Sequence, residues 1–146
     1  MYIYEHELRE QLTNNLCPEL TRHFRTGHQV LLELKVGSKI ADMVLFDDEL
    51  KNIIVIELKV SKWKDALRQA VIHQLWATES YVALSRKHIN GALMNRRIFE
   101  TFGVGMISVD GFSKVEISAK RSPYRKPRYL ETARIEIARR LSGDRS

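Results

Sequence analysis

The sequence predicts one α/β domain in which helices flank a mixed β-sheet. Its 146 residues are 44% hydrophobic, which is enough apolar material for one substantial core. Three apolar segments between residues 30 and 60 are separated by short polar breaks, and this pattern indicates three consecutive strands. Further along the chain, helical periodicity alternates with short apolar runs, which is typical of helices that pack on a sheet.

The first half of the chain predicts two helices and three strands. A helix is expected from about residue 3 to residue 16, because apolar residues recur every four positions at Leu8, Leu12 and Leu16. Pro18 begins a second short helical segment that ends near Phe24. The predicted strands are VLLELKV, IADMVLF and IIVIELKV, and the polar turn DDELKN joins the last two.

The second half predicts further helices and strands in alternation. A helix is expected from Trp63 to about Glu79, then a strand at YVALS and another helix over residues 90–102. VGMISVD and KVEISAK predict a β-hairpin around Asp110 and Gly111. The basic connection RSPYRKPRY then leads to a final amphipathic helix that contains Ile135, Ile137 and Leu141.

The net charge of +6 comes from the C-terminal part of the chain. Residues 114–146 hold ten Lys and Arg against four Asp and Glu, whereas residues 1–113 are balanced. A basic end of this kind attracts a polyanion, usually nucleic acid, although a solubilising tail has the same composition. We expect residues 1–120 to form the core and residues 121–146 to be a basic connection and a helix of the same domain.

The composition also bears on location. The single cysteine suits a reducing compartment, and no apolar run reaches the length of a membrane span. The N-terminal segment MYIYEHELRE is acidic where a signal peptide is basic. The sequence therefore predicts a cytoplasmic protein that does not enter a membrane.

The tetrapeptide ELKV occurs twice, at residues 33–36 and 57–60, and only the second copy is predicted to form a site. In the first copy, Glu33 and Lys35 alternate with apolar residues, as on a strand with one face in water. The second copy follows the apolar run IIVI, which indicates a strand covered on both faces. Charges on such a strand lose their hydration and require partners.

Asp42, in the preceding strand, is the expected partner of Glu57. If the hairpin turns at residues 48–51, position i pairs with position 99 − i, and Asp42 lies opposite Glu57 with Cβ atoms about 4.5–5.5 Å apart. Two facing carboxylates repel each other, and Lys59 supplies only one positive charge. Oxygen ligands at this spacing favour Mg²⁺ or Mn²⁺, which lower the pKa of bound water.

Other charged residues are candidates for the same site. Glu5 lies on the apolar stripe of the first helix and is a candidate third carboxylate, the alternative being a contact at an exposed helix end. Lys62, Lys64 and Arg68 follow the acidic strand and are candidates for phosphate contacts, or for a solvated helix face.

The basic connection supplies a second group of candidate nucleic-acid ligands, Arg121, Arg125 and Lys126. Tyr124 and Tyr129 are interleaved with these cations, and such a mixture can hold a backbone and stack on an unpaired base.

The combination of Asp42, a hairpin and Glu57-Leu58-Lys59 resembles the PD-(D/E)xK nuclease superfamily, which includes restriction endonucleases, Holliday-junction resolvases and RecB-like nuclease domains. The family core is a helix, a three-stranded meander, a helix and a strand, and residues 3–84 match that order. The resemblance implies a restriction-endonuclease-like fold, metal binding by Asp42 and Glu57, and catalysis by Lys59.

The resemblance extends to the helices and also has departures. Glu5 matches the helical glutamate of the resolvases, and Gln69 matches a glutamine of RecB-like members on the helix after the lysine. Ala41 stands where the motif has proline, and His73 stands where RecB-like members have tyrosine.

These residues predict a Mg²⁺- or Mn²⁺-dependent nuclease, a hydrolase of phosphodiester bonds in DNA, with RNA also compatible as a substrate. So small a domain is expected to dimerise or to use a protein partner for specificity. Repair, phage defence and mobile-element maintenance fit equally, and the sequence does not distinguish endonuclease from exonuclease. The alternatives are a non-catalytic nucleic-acid-binding module and a protein–protein adaptor in which Asp42, Glu57 and Lys59 form a satisfied salt-bridge cluster.

Overall fold

The computed structural model describes residues 4–143, and the predicted beginning of the first helix at Ile3 lies outside that range. A 3₁₀ turn over Arg86–His88 separates β4 from α4. The helices and strands, in chain order, are α1 Glu5–Asn14, α2 Pro18–Thr21, β1 Gln29–Val36, β2 Lys39–Phe46, β3 Ile53–Lys59, α3 Trp63–His73, β4 Glu79–Ser85, α4 Ile89–Leu93, α5 Arg96–Phe102, β5 Gly105–Asp110, β6 Phe112–Ile117 and α6 Pro127–Leu141.

The six strands form one mixed sheet in the order β1-β2-β3-β4-β5-β6. The first three strands are an antiparallel meander, β3, β4 and β5 run parallel, and β6 returns antiparallel to β5. Because β3, β4 and β5 are parallel, their C-terminal ends lie at the same edge of the sheet. The predicted α/β class is confirmed, and the arrangement is consistent with a restriction-endonuclease-like fold.

Helices cover both faces of the sheet, and β3 lies at its centre. On one face, α1 and α2 bury Leu8, Leu12 and Leu20 against the strands. On the other face, α3 to α6 pack in two clusters around Trp76 and Phe99. Every residue from Ile53 to Leu58 is buried, as expected for a strand covered on both sides.

Several predicted boundaries were wrong because local periodicity continues past the end of an element. The helix expected from Trp63 to about Glu79 ends at His73, since Thr78 donates its backbone N–H to Ile53 and so joins β3. The helix expected over residues 90–102 is divided between α4 and α5. Of the three apolar residues named for α6, Ile137 is buried, whereas Ile135 is 48% exposed and Leu141 is 50% exposed.

None of the helices in residues 4–143 combines the length and the hydrophobicity needed to cross a membrane.

Candidate active site

The register between β2 and β3 brings Asp42 to Glu57. The pairs run from Phe46–Ile53 to Met43–Ile56, which is the predicted register, and the ladder ends there. Beyond the last pair, the Leu58 backbone N–H donates to Asp42 Oδ2 at 2.8 Å. The Asp42 carboxylate therefore bridges the two strands at the point where their backbone pairing has ended.

A distortion in β1 lies directly beside Asp42. The β1–β2 pairs on either side are regular, but Glu33, which would face Asp42, has a φ of 53° and is unpaired. This left-handed conformation costs a residue other than glycine about 1–2 kcal/mol. Arg140 of α6 donates from its two terminal nitrogens to the carbonyl oxygens of Glu33 and Leu32, both at 3.0 Å. The last helix thus fixes the backbone next to Asp42.

Glu57 is a buried carboxylate without a hydrogen-bond donor. Only 1% of its surface is exposed, and no donor within the described residues reaches either carboxylate oxygen with hydrogen-bond geometry. A buried ionised carboxylate without a donor is unstable, and it becomes stable when it takes up a proton or when a cation binds.

Both carboxylates bind a proton more tightly than they would in water. Burial, and then the Glu57 carboxylate, raises the pKa of Asp42 to about 7. Burial likewise raises the pKa of Glu57 to about 7, against the opposing effects of Asp42 and Lys59. When both groups are ionised neither can donate, but when one is protonated they can hydrogen-bond to each other, so the pair titrates as a unit.

Lys59 lies at the end of β3 with a carboxylate partner from the other side of the sheet. Its Nζ is 3.4 Å from Oε1 of Glu5, at the start of α1. The Lys59 side chain is 31% exposed and that of Glu5 is 51% exposed, so this pair forms the solvent-facing rim of the site. Lys59 is therefore held beside the carboxylates of Asp42 and Glu57, and its charge is shared with Glu5.

His73, at the end of α3, contacts the buried carboxylate from the opposite side. Its Nε2 is 2.7 Å from Glu57 Oε1, although the two groups are not aligned as a hydrogen bond. Both side chains are 1% exposed. Burial lowers the pKa of His73 to about 4, with the Asp42 carboxylate opposing, so the imidazole is neutral at pH 7. The sequence identified His73 only as a departure from the family pattern, and its contact depends on where α3 ends.

The other candidates from the sequence occupy both ends of α3. Gln69 is half-buried one turn before His73 and, within the described part of the chain, makes no hydrogen bond to Asp42 or Glu57. Lys62 and Lys64 are exposed at the beginning of α3, beside the end of β3, and Arg68 is exposed in the middle of that helix.

The basic connection lies at the other end of α3. Ser122 donates its backbone N–H to Thr78, just before β4, and Lys126 donates to Leu75, two residues beyond His73. Arg121, Arg125 and Lys126 are thus brought to the C-terminal end of α3, whereas Lys62 and Lys64 lie at its beginning.

Two exposed cations at the site edge were missed by sequence reasoning. Arg86 and Lys87 directly follow β4, and with Glu7 and Asp110 they line a cavity of about 350 Å³. They lie at the same sheet edge as Lys59 because β3 and β4 are parallel. Knowledge of the strand order would have identified them, since ligands bind at the C-terminal ends of parallel strands.

Within residues 4–143, no group of three or more His, Cys, Asp or Glu side chains is arranged to hold a metal ion. Asp42 and Glu57 converge as a pair, and Glu5 contacts Lys59 rather than joining them in a three-ligand group.

Comparison with known proteins gives structural similarity alone, since no protein-family model and no curated protein matches this chain. The SPO1766 protein of Silicibacter pomeroyi, of unknown function, is similar with a TM-score of 0.64 and 15% sequence identity. The match covers 98% of this chain and 90% of that chain, and at this identity it shows a shared fold and nothing further.

Two weaker similarities are to proteins solved with a ligand. A complex of EndoMS with double-stranded DNA gives a TM-score of 0.48 at 20% sequence identity. The match covers 76% of this chain and 47% of that chain. SfsA of Pyrococcus furiosus in complex with Ca²⁺ gives 0.39 at 11% identity, over 80% of this chain and 61% of that chain. These scores are too low to carry an argument, so the functional inference depends on the site itself.

Proposed function

We propose that this chain is a divalent-metal-dependent deoxyribonuclease that hydrolyses phosphodiester bonds. The observation that carries the proposal is the pair formed by the half-buried Asp42 and the buried Glu57, in which Glu57 has no donor and a lysine lies at the rim. The Asp–hairpin–Glu-x-Lys spacing, which resembles PD-(D/E)xK nucleases, supports the same chemistry. The excess positive charge favours a nucleic acid as substrate, DNA follows from the resemblance to these nucleases, and RNA is compatible with the charge too.

The donor set fits a small, hard cation. Mg²⁺ commonly binds through one or two carboxylates and completes its coordination with water and substrate phosphate oxygens. Asp42 and Glu57 would hold Mg²⁺ or Mn²⁺, with Glu5 as a candidate additional ligand. A bound ion supplies a water of lowered pKa and neutralises charge on the phosphate under attack.

Lys59 has the position of an electrostatic catalyst. Its ammonium group, held by Glu5 at the rim, would stabilise the negative charge that develops on the phosphate oxygens or orient the attacking water. Gln69 is the neighbouring candidate for positioning, since it lies on the helix that covers the site. Lys62, Lys64 and Arg68 would contact the phosphates of the bound strand.

A non-catalytic nucleic-acid-binding module is the second candidate. It is favoured by the finding that the described residues gather no three-ligand metal group. An adaptor with a satisfied salt-bridge cluster is less favoured, because Glu57 lacks a donor and Lys59 pairs with Glu5 instead.

The test is cleavage of linear, nicked and branched DNA with Mg²⁺, with Mn²⁺ and with chelator. The first ELKV copy offers a matched control, because Lys35 is an exposed lysine in the same tetrapeptide. Lys59→Ala is expected to lower the cleavage rate about 100-fold or more, and Lys35→Ala to leave it within about twofold.

The outcomes separate the two candidates. Metal-dependent cleavage that is lost in Lys59→Ala and kept in Lys35→Ala supports the nuclease. DNA that shifts in mobility but is not cleaved under any metal condition, equally in both variants, overturns the nuclease and leaves the binding module.

A further inference from the structure

Two adjoining cavities on the face covered by α3 and α6 form a continuous surface, here named the basic track. The first cavity, of about 410 Å³, includes Lys39, His73, Arg128 and Tyr129 in its lining. The second, of about 680 Å³, is lined among others by Phe102, Tyr124, Arg125 and Lys126. The two cavities share Ile72 and Leu75, near the end of α3, so the track passes from the β1–β2 turn to the basic connection.

The track has the charge of a polyanion site. None of the residues that line either cavity is acidic, whereas Glu7 and Asp110 line the cavity at the strand ends. Within residues 4–143, no ion pair is found for Lys39, Arg125, Lys126 or Arg128. Other exposed cations, such as Lys51 and Lys114, do have carboxylate neighbours.

Arg125 and Arg121 are two neighbouring positive charges that no carboxylate among residues 4–143 compensates. Burial, and then the neighbouring Arg121 guanidinium, lowers the pKa of Arg125. Two arginines held near each other without an acid repel one another, and an anion bound between them relieves that repulsion.

Aromatic side chains accompany these cations. Tyr124 is 51% exposed and Phe102 is 42% exposed in the second cavity. In the first cavity, the Arg128 guanidinium lies 5.0 Å from the centre of the Tyr129 ring. Grooves that bind single strands combine a positive charge that follows the backbone with aromatic rings on which unpaired bases stack. Duplex DNA buries its bases and cannot use such rings.

The track begins next to the candidate active site. His73 lines the first cavity and is also the residue whose Nε2 lies 2.7 Å from Glu57. One buried side chain therefore separates the track from the carboxylate pair.

We propose that the basic track binds single-stranded nucleic acid, with phosphates on Lys39, Arg128 and Arg125 and on Arg121 next to the track, and with an unpaired base against Tyr124. The role of the track in bringing substrate to Asp42 and Glu57 rests on the proposed nuclease function. Binding itself can be measured without cleavage. An acidic segment of a partner protein is the competing occupant, but such a segment would not explain why aromatic rings lie among the cations.

The first experiment measures fluorescence anisotropy of a labelled single strand of about 20 nucleotides and of the matching blunt duplex, in chelator so that no cleavage occurs. Arg121→Gln with Arg125→Gln is compared with Lys51→Gln with Lys114→Gln, which removes the same charge from ion-paired surface sites. The track variant should lose about tenfold in affinity for the single strand and reduce the slope of log K against log salt by about 1.4. The control should change affinity less than about twofold.

The second experiment tests stacking at Tyr124. Tyr124→Ala should weaken single-strand binding about fivefold or more, leave duplex binding unchanged, and be rescued by Tyr124→Phe, which keeps the ring. Circular dichroism and Tm of each variant show whether it remains folded.

Several results would overturn the proposal. Equal losses in the track and control variants mean that only net charge matters. Equal sensitivity of single strand and duplex to Tyr124→Ala excludes stacking. Polyglutamate that binds more tightly than the single strand at the same charge concentration indicates an acidic protein as occupant. Normal single-strand binding without metal-dependent cleavage contradicts the nuclease and leaves the track. Cleavage that depends on Lys59, together with unaltered single-strand binding in the track variants, contradicts the track and leaves the nuclease.

Discussion

The two ELKV segments have the same sequence and opposite surroundings. The first is in β1, at the edge of the sheet, where the Glu33 side chain is 71% exposed. The second is in β3, between β2 and β4, where the Glu57 side chain is 1% exposed. A carboxylate at the edge is solvated by water, whereas one at the centre depends on whatever the protein or a cation provides. Position in the sheet, and not the tetrapeptide, distinguishes the candidate site.

The comparison also gives the first copy a structural role. The sequence correctly predicts that Glu33 points to water, but its left-handed backbone interrupts the β1–β2 ladder beside Asp42. Distortions of this kind redirect side chains at sheet edges and next to active sites. Glu33, in the first copy, therefore distorts the backbone next to Asp42, and Asp42 is the residue that interacts with Glu57 of the second copy.

The largest expected difference between the copies is in metal-dependent stability. At a Mn²⁺ concentration about 100 times the dissociation constant, binding should stabilise the folded protein by about 2.7 kcal/mol. Glu57→Gln should abolish this stabilisation, and Glu33→Gln should keep it, as measured by chemical denaturation with and without Mn²⁺. Equal stabilisation of both variants would place the metal elsewhere.

The next difference is in pH dependence. The folded pKa values of Asp42 and Glu57, both about 7, lie above their ordinary values of 3.8 and 4.5, so between about pH 4 and pH 7 the folded state binds more protons than the unfolded state. Their contribution to stability is therefore full below pH 4 and is lost as the pH rises through 7. In chelator, Asp42→Asn should have a higher Tm than the wild type at pH 8, with the gap closing at pH 5. Glu33→Gln should run parallel to the wild type, and parallel curves for Asp42→Asn would contradict the coupled pair.

A smaller difference is expected from the neighbours of each glutamate. Glu57 has His73 at 2.7 Å, in the core, whereas Glu33 has Arg9 at 3.6 Å, in solvent. His73→Leu should weaken Mn²⁺ binding about tenfold, because a residue that orients a ligand is lost, and His73→Gln should weaken it less. Arg9→Gln should have no effect on Mn²⁺ affinity by calorimetry. If both His73 variants lose the same stability in chelator and keep the Mn²⁺ affinity of the wild type, His73 is only a packing residue.

The smallest difference concerns the backbone. Glu33→Gly should raise the free energy of unfolding by about 0.5–1 kcal/mol, because glycine adopts the positive φ of 53° without strain and the exposed ion pair with Arg9 contributes little. Glu57→Gly should lower stability, since it introduces a flexible residue into a regular central strand. Urea denaturation in chelator measures both, and a destabilised Glu33→Gly would show that the Glu33 side chain supports the distortion.

Much of the candidate site could be predicted because it depends on short-range pattern. The hairpin turn fixed the pairing of position i with 99 − i, and the observed pairs follow it up to Met43 and Ile56. Their continuation brings Asp42 to Glu57. The assignment of these residues to metal and catalysis stays a prediction until the experiments above are done.

Other features could not be predicted because they depend on contacts between distant parts of the chain. His73 was expected in the middle of a helix, yet α3 ends there and its imidazole contacts Glu57. The Arg140 contacts with the β1 backbone join residues more than 100 positions apart. Arg86 and Lys87 reach the site edge only through the parallel pairing of β3 and β4.

The sequence by itself determined the local elements, the hairpin register, the buried character of IIVIELKV and the concentration of positive charge in its last quarter, because periodicity and composition act between near neighbours. The tertiary structure alone decided which helix end contacts the buried Glu57, where the backbone beside Asp42 is held by Arg140, and which cations were left without acids. Contacts between distant parts of the chain and the compensation of charge are properties of the assembled sheet and its helices, and no local pattern contains them.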